Sequence, residues 1–449
     1  MKIAKKFFAI LLVIALAVVF TGCDGIFASP SEVVTPPKLA GALAGLDDAL
    51  DKTLKEKYEF AYPSAGEYRS SCITKDLNGD GLSEAIVFYI LESDNMLHMN
   101  TFTYKDGTWT SISDIDLQSS GVERVAFENL QGDKNPEVII SSLLYSSTDN
   151  RTHQANVFSY EQNGLEMRFQ ENCTDFAICD MLGNGYKQIM CFNVGDGLAK
   201  TGASAAQTAT AKLMGVSDKG DGKSVFYGES PMDPDISSVA LTTQGKVDNN
   251  PALYVDSNLA SGSMITSLLI YNQKTKKLAN ALYDKVTANN NVSLRFAPIT
   301  SRDFDDDGVI EIPVSHLATN EENKSDNMML SWTSYSGGKL TVKSTGFYNS
   351  IYNYFFGVNE KWATGVVVES KNDGTEMVYS VSPTATADAG KKLLTVIVKP
   401  HEQDETVNNG SKPTYSNDDY DFWIEIDSNI PKTYAQSEKT ILDSFKVIK

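Results

Sequence analysis

Two short segments carry oxygen-bearing side chains at a spacing that suits a hard metal cation. In each segment side-chain oxygens stand at positions 1, 3, 5 and 9, a glycine stands at position 6, and position 7 can offer its backbone carbonyl. The candidate ligands are Asp76, Asn78, Asp80, Leu82 and Glu84 in the first segment, and Asp303, Asp305, Asp307, Val309 and Glu311 in the second. Ca²⁺ prefers such oxygen ligands, and glycine permits the sharp turn that gathers them. The spacing therefore predicts two structural Ca²⁺ ions, one in each segment.

The same residue types are also common in turns, so an acidic hairpin turn without an ion is the alternative for each segment. An EF-hand is disfavoured, because that motif places its glutamate at position 12 and continues into a helix. Here the glutamate stands at position 9, and the apolar run 85–90 that follows is typical of a strand. Three carboxylates within nine residues repel one another, and a cation would relieve that repulsion.

Weaker copies of the segment lie between the two full ones. They begin at Asn129, at Asp180 and near Gln244. The second copy has Lys134 in place of the glycine, and the third has Leu182 and Gln188 at ligand positions, so we interpret both as structural turns without calcium. A period of 50 to 60 residues that holds several short strands predicts a mainly β fold, a β-propeller of about five to seven degenerate blades.

The full copies resemble the FG-GAP/VCBS repeat of integrin-α-like β-propellers, whose Asp/Asn loop joins two strands of a blade and holds calcium. The resemblance covers roughly residues 66–345, and we assign the propeller to 61–345. It implies that the oxygen-bearing residues of the two full copies, with the carbonyls of Leu82 and Val309, are the calcium ligands.

The N-terminal residues indicate where the protein is located. Three lysines precede the apolar run Phe7–Phe20, which is too short to span a bilayer but has the length of a signal-peptide core. The sequence Phe20-Thr21-Gly22-Cys23 then resembles a bacterial lipobox, which implies a signal peptide over 1–22, lipidation with palmitate or a similar chain at Cys23, and a tether over 23–37. We therefore expect a lipid-anchored protein on the extracytoplasmic face of the cell membrane. An ordinary secretory signal with an incidental cysteine is the alternative.

Two further elements flank the predicted propeller. Leucines at 39, 43, 46, 50 and 54 predict an amphipathic helix over 38–60 that packs on the following domain. Residues 350–449 are predicted to form a small α/β domain with a closing helix over 437–445, and the segments 355–362 and 441–445 resemble PsbP/DcrB-like domains. The order of these parts resembles that of bacterial surface lipoproteins.

Four cysteines remain if Cys23 is lipidated, and they permit three pairings if all are bonded. They are Cys72, Cys173, Cys179 and Cys191. Cys72 and Cys191 lie in apolar, strand-like stretches, which favours buried free thiols at those two positions.

Composition narrows the possible functions. The formal net charge is −19, and it becomes −22 once the three lysines of the signal peptide are removed. Such a chain repels phosphate backbones, so nucleic acid is excluded as a partner. The sequence has no HExxH, GxSxG or Walker motif, and its four histidines are scattered. We expect a non-catalytic module that binds a protein or glycan at the cell surface. An extracellular hydrolase acting on polysaccharide or peptide, and a solute-binding lipoprotein, are the alternatives.

Overall fold

The structure, a computed structural model, describes residues 43–133, 135–144, 153–162, 164–194, 209–296, 298–315, 327–384, 388–401 and 412–448. The predicted signal peptide, the tether and Cys23 lie outside the described residues, as do Lys134 and His316. The described part is mainly β, with six antiparallel sheets and three short α-helices. None of its helices is long and apolar enough to cross a membrane.

The first three sheets follow one another along the chain. Sheet 1 consists of β1 (Tyr58–Phe60), β2 (Cys72–Lys75), β3 (Glu84–Leu91), β4 (Leu97–Lys105) and β5 (Thr108–Asp116). Sheet 2 consists of β6 (Gly121–Glu128), β7 (Glu137–Leu143), β8 (His153–Glu161) and β9 (Gly164–Cys173). Sheet 3 consists of β10 (Asp175–Cys179), β11 (Gln188–Asn193), β12 (Thr210–Val216) and β13 (Ser224–Pro231).

Three more sheets complete the described chain. Sheet 4 consists of β14 (Ile236–Val247), β15 (Asn250–Leu259), β16 (Met264–Asn272) and β17 (Lys277–Asn280). Sheet 5 consists of β18 (Ile312–Ser315), β19 (Asn327–Ser336), β20 (Lys339–Asn349), β21 (Tyr354–Gly357) and β27 (Lys446–Val447). Sheet 6 consists of β22 (Val366–Lys371), β23 (Glu376–Val381), β24 (Lys392–Pro400), β25 (Tyr415–Ser416) and β26 (Tyr420–Ile426).

The sheets pack face to face in chain order. Buried side chains from sheets 1 and 2 share one hydrophobic cluster, and sheets 2 and 3, 3 and 4, 4 and 5, and 5 and 6 share the next ones. Sheets 2 to 5 are therefore covered on both faces by their neighbours. In sheet 1 the second face is covered by helix α1 (Leu46–Leu54), and β3 is buried along almost its whole length while the outer strand β5 is half exposed. Successive antiparallel units of four or five strands packed in this way form a propeller-like fold.

Of the helix predicted over 38–60, residues 38–42 with Leu39 lie outside the described residues, and within 43–60 the helix is shorter than predicted. Helix α1 spans Leu46–Leu54 and buries Leu46 and Leu50 against sheet 1. It ends where Lys55 adopts a left-handed backbone conformation, with φ of 55°, and β1 begins three residues later. The periodic leucines thus predicted the buried face, but they did not reveal where the chain turns into the sheet.

The C-terminal part contributes to two sheets. Its strands β21 and β27 pair within sheet 5, and the rest of it forms sheet 6. Helix α2 (Glu360–Gly365) begins after Asn359, whose side chain accepts from two backbone N–H groups. Helix α3 (Glu438–Ser444) follows Ser437 in the same way, within the span where the sequence predicted a closing helix.

Candidate metal centre

The four recognisable copies of the segment occupy equivalent places in four sheets. We name them loop A (76–84), loop B (129–137), loop C (180–188) and loop D (303–311). Loop A joins β2 to the buried β3, loop B joins β6 to β7, and loop C joins β10 to β11. Loop D is closed by an isolated bridge between Arg302 and Glu311 and leads directly into β18. The position-9 side chain therefore always stands where the loop enters a buried strand.

That position-9 side chain makes a contact that the sequence did not indicate. In every loop it accepts a hydrogen bond from the backbone N–H of position 2, and in the glutamate loops it is almost completely buried. The four pairs are Leu77 to Glu84 at 3.0 Å, Leu130 to Glu137 at 2.7 Å, Met181 to Gln188 at 2.8 Å and Phe304 to Glu311 at 2.9 Å. One oxygen of each position-9 group thus closes the loop. The second oxygen of Glu84 and of Glu137 also accepts hydrogen bonds from side chains of the protein, and Gln188 has a nitrogen in its place.

Loop A holds its oxygens through backbone contacts. Asp76 accepts from the N–H groups of Gly79 and Gly81, at 2.7 and 3.0 Å, and both glycines have positive φ. The Asn78 amide nitrogen donates to Asp80 at 3.1 Å and to Glu84 at 3.0 Å. An NH₂ group therefore stands between two of the predicted ligand carboxylates. The exposed Leu82 donates its N–H to Asp80, and the ligand role of its carbonyl stays a prediction.

Loop D brings its carboxylates closer together without such an amide. Ligand oxygens of Asp303, Asp305 and Glu311 all lie within 4.8 Å of one another. Asp303 accepts from the N–H groups of Asp307 and Gly308, at 3.0 and 2.8 Å, which fixes it at the start of the loop. The structure thus gathers three of the predicted side-chain ligands of this loop. Val309 donates its N–H to Asp307 at 2.9 Å, and its carbonyl stays a predicted ligand.

The second oxygen of Glu311 is the least satisfied atom of the loop. The side chain is fully buried, and its Oε1 has no hydrogen-bond partner in the part of the chain that the structure describes. Burial, together with the nearby charges of Asp305 and Asp307, raises the pKa of Glu311 to about 7. An ionised carboxylate at this place would need a cation to compensate for its lost hydration.

The fourth predicted side chain of loop D, Asp307, faces a different cation. Its Oδ2 lies 2.9 Å from Nζ of Lys343 on β20, and its Oδ1 accepts from Val309. The lysine lowers the pKa of Asp307. Sequence reasoning missed this pair, because Lys343 is 36 residues away along the chain and meets the loop only through the packing of sheet 5.

Loops B and C fill their centres with protein hydrogen bonds. In loop B the buried Glu137 accepts from the amide of Gln131 at 2.6 Å and from the hydroxyl of Ser159 at 3.1 Å. In loop C the amide nitrogen of Gln188 donates to the carbonyl of Tyr186, the position-7 carbonyl, at 2.8 Å. In the full copies the position-7 carbonyl is a predicted calcium ligand. In loop C the equivalent carbonyl, that of Tyr186, already accepts a hydrogen bond from a neutral NH₂ group.

The faintest copy, near Gln244, has no comparable loop in the structure. Gln244 and its neighbours lie inside β14, and Asp248 and Asn249 form a two-residue turn to β15 with φ of 47° and 66°. Asp248 instead accepts from Ser336 at 2.7 Å in the next sheet. The repeat at this position is thus a tight hairpin.

Loop D is also fixed to the C-terminal strand. The Phe304 ring stacks on Trp332 with centroids 4.4 Å apart, and Nζ of Lys446 lies 4.7 Å from the Phe304 ring centroid. The same ammonium donates to the Phe304 carbonyl at 2.6 Å. Position 2 of the loop is therefore held from both sides by sheet 5.

The described histidines are each paired with a carboxylate. His98 lies 2.9 Å from Asp94, His153 lies 2.8 Å from Glu123, and His401 lies 3.1 Å from Asp421. The His153 pair, with a hydrogen bond from Ser141, lowers the pKa of Glu123 to about 2. Each of the three described histidines therefore has a carboxylate partner.

Two clefts lie away from the loops. The larger, of about 610 Å³, lies between α1 and the β4–β5 hairpin, and Trp109, Asp48 and Lys52 are among its lining residues. The smaller, of about 390 Å³, includes Tyr352 and Tyr420, whose rings meet edge to face with centroids 5.3 Å apart. Both combine aromatic and polar side chains.

Comparison with known proteins gives little further information. No protein-family model matches the chain, and no curated protein matches it. Among solved structures, a protein from Lactobacillus plantarum is similar, with 11% identity and a TM-score of 0.31 over 73% of this chain and 86% of that one. Similarity at this level supports no statement about function.

Proposed function

We propose that this protein is a non-catalytic, calcium-stabilised propeller-like module, anchored by lipid at Cys23 to the extracytoplasmic face of the membrane, that binds a protein or a glycan. The lipobox resemblance supports the anchor and the location. The packing of sheets 1 to 5 in chain order supports a propeller of about five to seven blades. The small α/β domain over 350–449 stays part of the proposal, although two of its strands pair within sheet 5.

The observation that supports calcium most strongly is the centre of loop D. Three carboxylates converge there, and the buried Oε1 of Glu311 has no hydrogen-bond partner among the described residues. Buried polar groups are almost always satisfied, and a hard divalent cation satisfies several carboxylates at once. Asp303, Asp305 and Glu311 would hold the ion, and Asp307 would join them once it leaves Lys343.

Loop A fits the same ion after a small rearrangement. Rotation of the Asn78 amide would turn its oxygen toward the oxygens of Asp80 and Glu84, to which its nitrogen now donates. The backbone of the loop is already fixed by Asp76. Calcium would then replace these two hydrogen bonds with ligand bonds. The rotation would also release the backbone N–H of Asp80, which now donates to the Asn78 amide oxygen at 2.8 Å.

The proposed partner would bind at surfaces away from the metal loops. The cleft beside Trp109 offers an indole, one carboxylate and one ammonium group, a combination that suits either a sugar ring or a polar peptide. Because the protein is strongly acidic, a cationic partner would associate more weakly as salt increases.

Thermal unfolding in calcium, in magnesium and in chelator tests the calcium part of this function. A ligand that binds only the folded state stabilises it by about 2.7 kcal/mol per site when its free concentration is 100 times Kd. Calcium should therefore raise the Tm of the chelated protein, and magnesium should raise it less, because Mg²⁺ demands a tighter octahedral site. A Tm that calcium leaves unchanged would show that the loops are turns without an ion.

The partner is tested with the full chain carrying Cys23→Ser, used in a pull-down, on a glycan array and against a panel of hydrolase substrates. Specific capture or glycan binding that Trp109→Ala weakens would support the binding module. Turnover of a polysaccharide or peptide, lost on changing one carboxylate outside loops A and D, would replace this proposal with an enzyme.

A further inference from the structure

A cleft of about 390 Å³ lies where sheet 5 meets sheet 6. One wall is the turn 350–353 between β20 and β21, and the other is the connection 417–419 between β25 and β26. Tyr352 on the first wall and Tyr420 beside the second meet edge to face, with ring centroids 5.3 Å apart. Asp418 and Asp419 add two carboxylates, so aromatic rings and negative charge line one surface.

Two asparagine side chains hold the walls of this cleft in place. Asn349, buried at the end of β20, accepts from two backbone N–H groups of the first wall at 3.1 and 2.8 Å. Asn417 accepts from the N–H groups of Asp419 and Tyr420 at 3.0 and 2.7 Å. Such hydrogen bonds from backbone to side chain fix a tight turn. Because the walls are already ordered, a ligand loses little binding free energy to ordering them.

The negative charge of the cleft is not compensated within the described chain. Asp418 and Asp419 are exposed, and their carboxylates form no hydrogen bond or ion pair with another described residue. Lys446, which precedes the cleft residue Val447 on β27, donates its ammonium to the carbonyl of Phe304 at 2.6 Å instead. The cleft therefore suits a cation that a ligand supplies.

A metal ion would need more ligands than these two carboxylates. Ca²⁺ takes about six to eight oxygen ligands. Among the described residues, three acidic ligand atoms lie close enough to share an ion only in loop D. An organic cation is therefore the better occupant of this cleft.

An arginine side chain fits both features of the cleft. A cation within about 6 Å of a tyrosine ring centroid is attracted to the ring face, and a guanidinium binds a carboxylate through two parallel hydrogen bonds. Arginine can make both contacts, because its guanidinium is planar and always charged. Ile351, which is 52% exposed, lines the same cleft and offers apolar contact to residues beside the arginine. We propose that this cleft binds an arginine-bearing peptide segment of the protein partner.

This interaction rests on the proposed function, because it requires that the partner be a protein, but it requires neither calcium nor the lipid anchor. The test uses the full chain carrying Cys23→Ser and measures weak peptide binding by saturation-transfer NMR. The probe is an end-capped glycine–serine peptide with one central arginine, and matched peptides carry citrulline or lysine there. Citrulline has the shape of arginine without its charge, so it should bind far more weakly. Lysine, which lacks the planar group, should bind more weakly than arginine.

Variants of the cleft separate this site from general attraction to an acidic protein. Tyr420→Leu should weaken binding of the arginine peptide roughly two- to fivefold, whereas Tyr420→Phe keeps the ring and should bind as wild type does. Asp418→Asn combined with Asp419→Asn should weaken binding roughly threefold or more. Glu56→Gln combined with Glu59→Gln makes the same charge change at exposed residues beside and on β1, and it should leave binding unchanged.

Three results would overturn the inference. The first is equal binding of the arginine and citrulline peptides, or equal weakening by the aspartate and glutamate pairs of substitutions. The second is free arginine that binds as tightly as the peptide, which would indicate a site for a small molecule. The third is a protein partner captured through the cleft beside Trp109 with no arginine binding here, which would leave the proposed function in place.

Discussion

Replacing Glu311 by glutamine should stabilise the calcium-free protein and remove its response to calcium at loop D. The chain already contains the expected product of this change, because loop C has Gln188 at the same position. There the amide oxygen accepts from Met181 and the amide nitrogen donates to the position-7 carbonyl. Glutamine at 311 can accept from Phe304 in the same way and donate to the carbonyl of Val309.

The pKa of Glu311 gives the size of the effect. It is raised from 4.5 to about 7, so ionisation of this group opposes folding once the pH exceeds the unfolded value. Its contribution to stability is complete below pH 4.5 and is lost as the pH rises through about 7. At 1.36 kcal/mol per pKa unit the loss reaches about 3 kcal/mol at pH 8. Relaxation of the loop makes this an upper value.

The measurement is urea unfolding of wild type and Glu311→Gln at pH 5 and pH 8, in chelator and in calcium. In chelator, raising the pH from 5 to 8 should lower the free energy of unfolding of wild type more than that of the variant. The difference between the two losses should be up to about 3 kcal/mol. Comparing the two proteins cancels the titration of the other carboxylates. In calcium at pH 8 wild type should gain more stability than the variant.

Glu137→Gln in loop B is the matched control. Glu137 is equally buried, but Gln131 and Ser159 already satisfy its second oxygen. Its replacement should leave the calcium response intact. If Glu311→Gln destabilised the chelated protein at pH 8, or kept the full calcium response, the interpretation of Glu311 as an uncompensated ligand would be wrong.

Three further outcomes are expected. Cys23→Ser should move the protein from the membrane fraction to the aqueous fraction, and continued retention would argue against the lipobox. Lys343→Met should raise calcium affinity at loop D by no more than about fivefold, since Asp307 then meets the ion without leaving an exposed ion pair. Lys339→Met, on the same strand, should leave the affinity unchanged, and equal effects of both would indicate only a general charge effect. Limited proteolysis should cut within loops A and D after chelation and be suppressed by calcium, whereas cleavage independent of calcium would mean that no ion stiffens them.

The sequence predicted the positions of the loops because their chemistry is local. Asp, Asn and Gly at fixed offsets determine both the ligand pattern and the turn, and the apolar run after Glu84 predicted the buried strand that begins there. Left-handed backbone conformation at position 4 was not anticipated. Loops A, B and C have glycine there, but loop D has Asp306 with φ of 62°.

The contacts that distinguish the loops from one another could not be predicted from local sequence. Whether position 9 is satisfied depends on side chains such as Ser159, which arrives from β8 of the same sheet. Asp307 forms an ion pair with Lys343, and the carbonyl of Phe304 accepts a hydrogen bond from Lys446 at the far end of the chain. These partners are brought together only by sheet formation, so a sequence pattern gives all four loops a similar appearance.

Calorimetric titration of the chelated protein with calcium tests the central claim most directly. We predict a stoichiometry near two, with Asp80→Ala and Asp307→Ala each removing one site. The degenerate loops B and C should contribute none, so substitution of Glu137 should leave the stoichiometry at two. A wild-type protein that binds no calcium would contradict the proposal that loops A and D are metal sites.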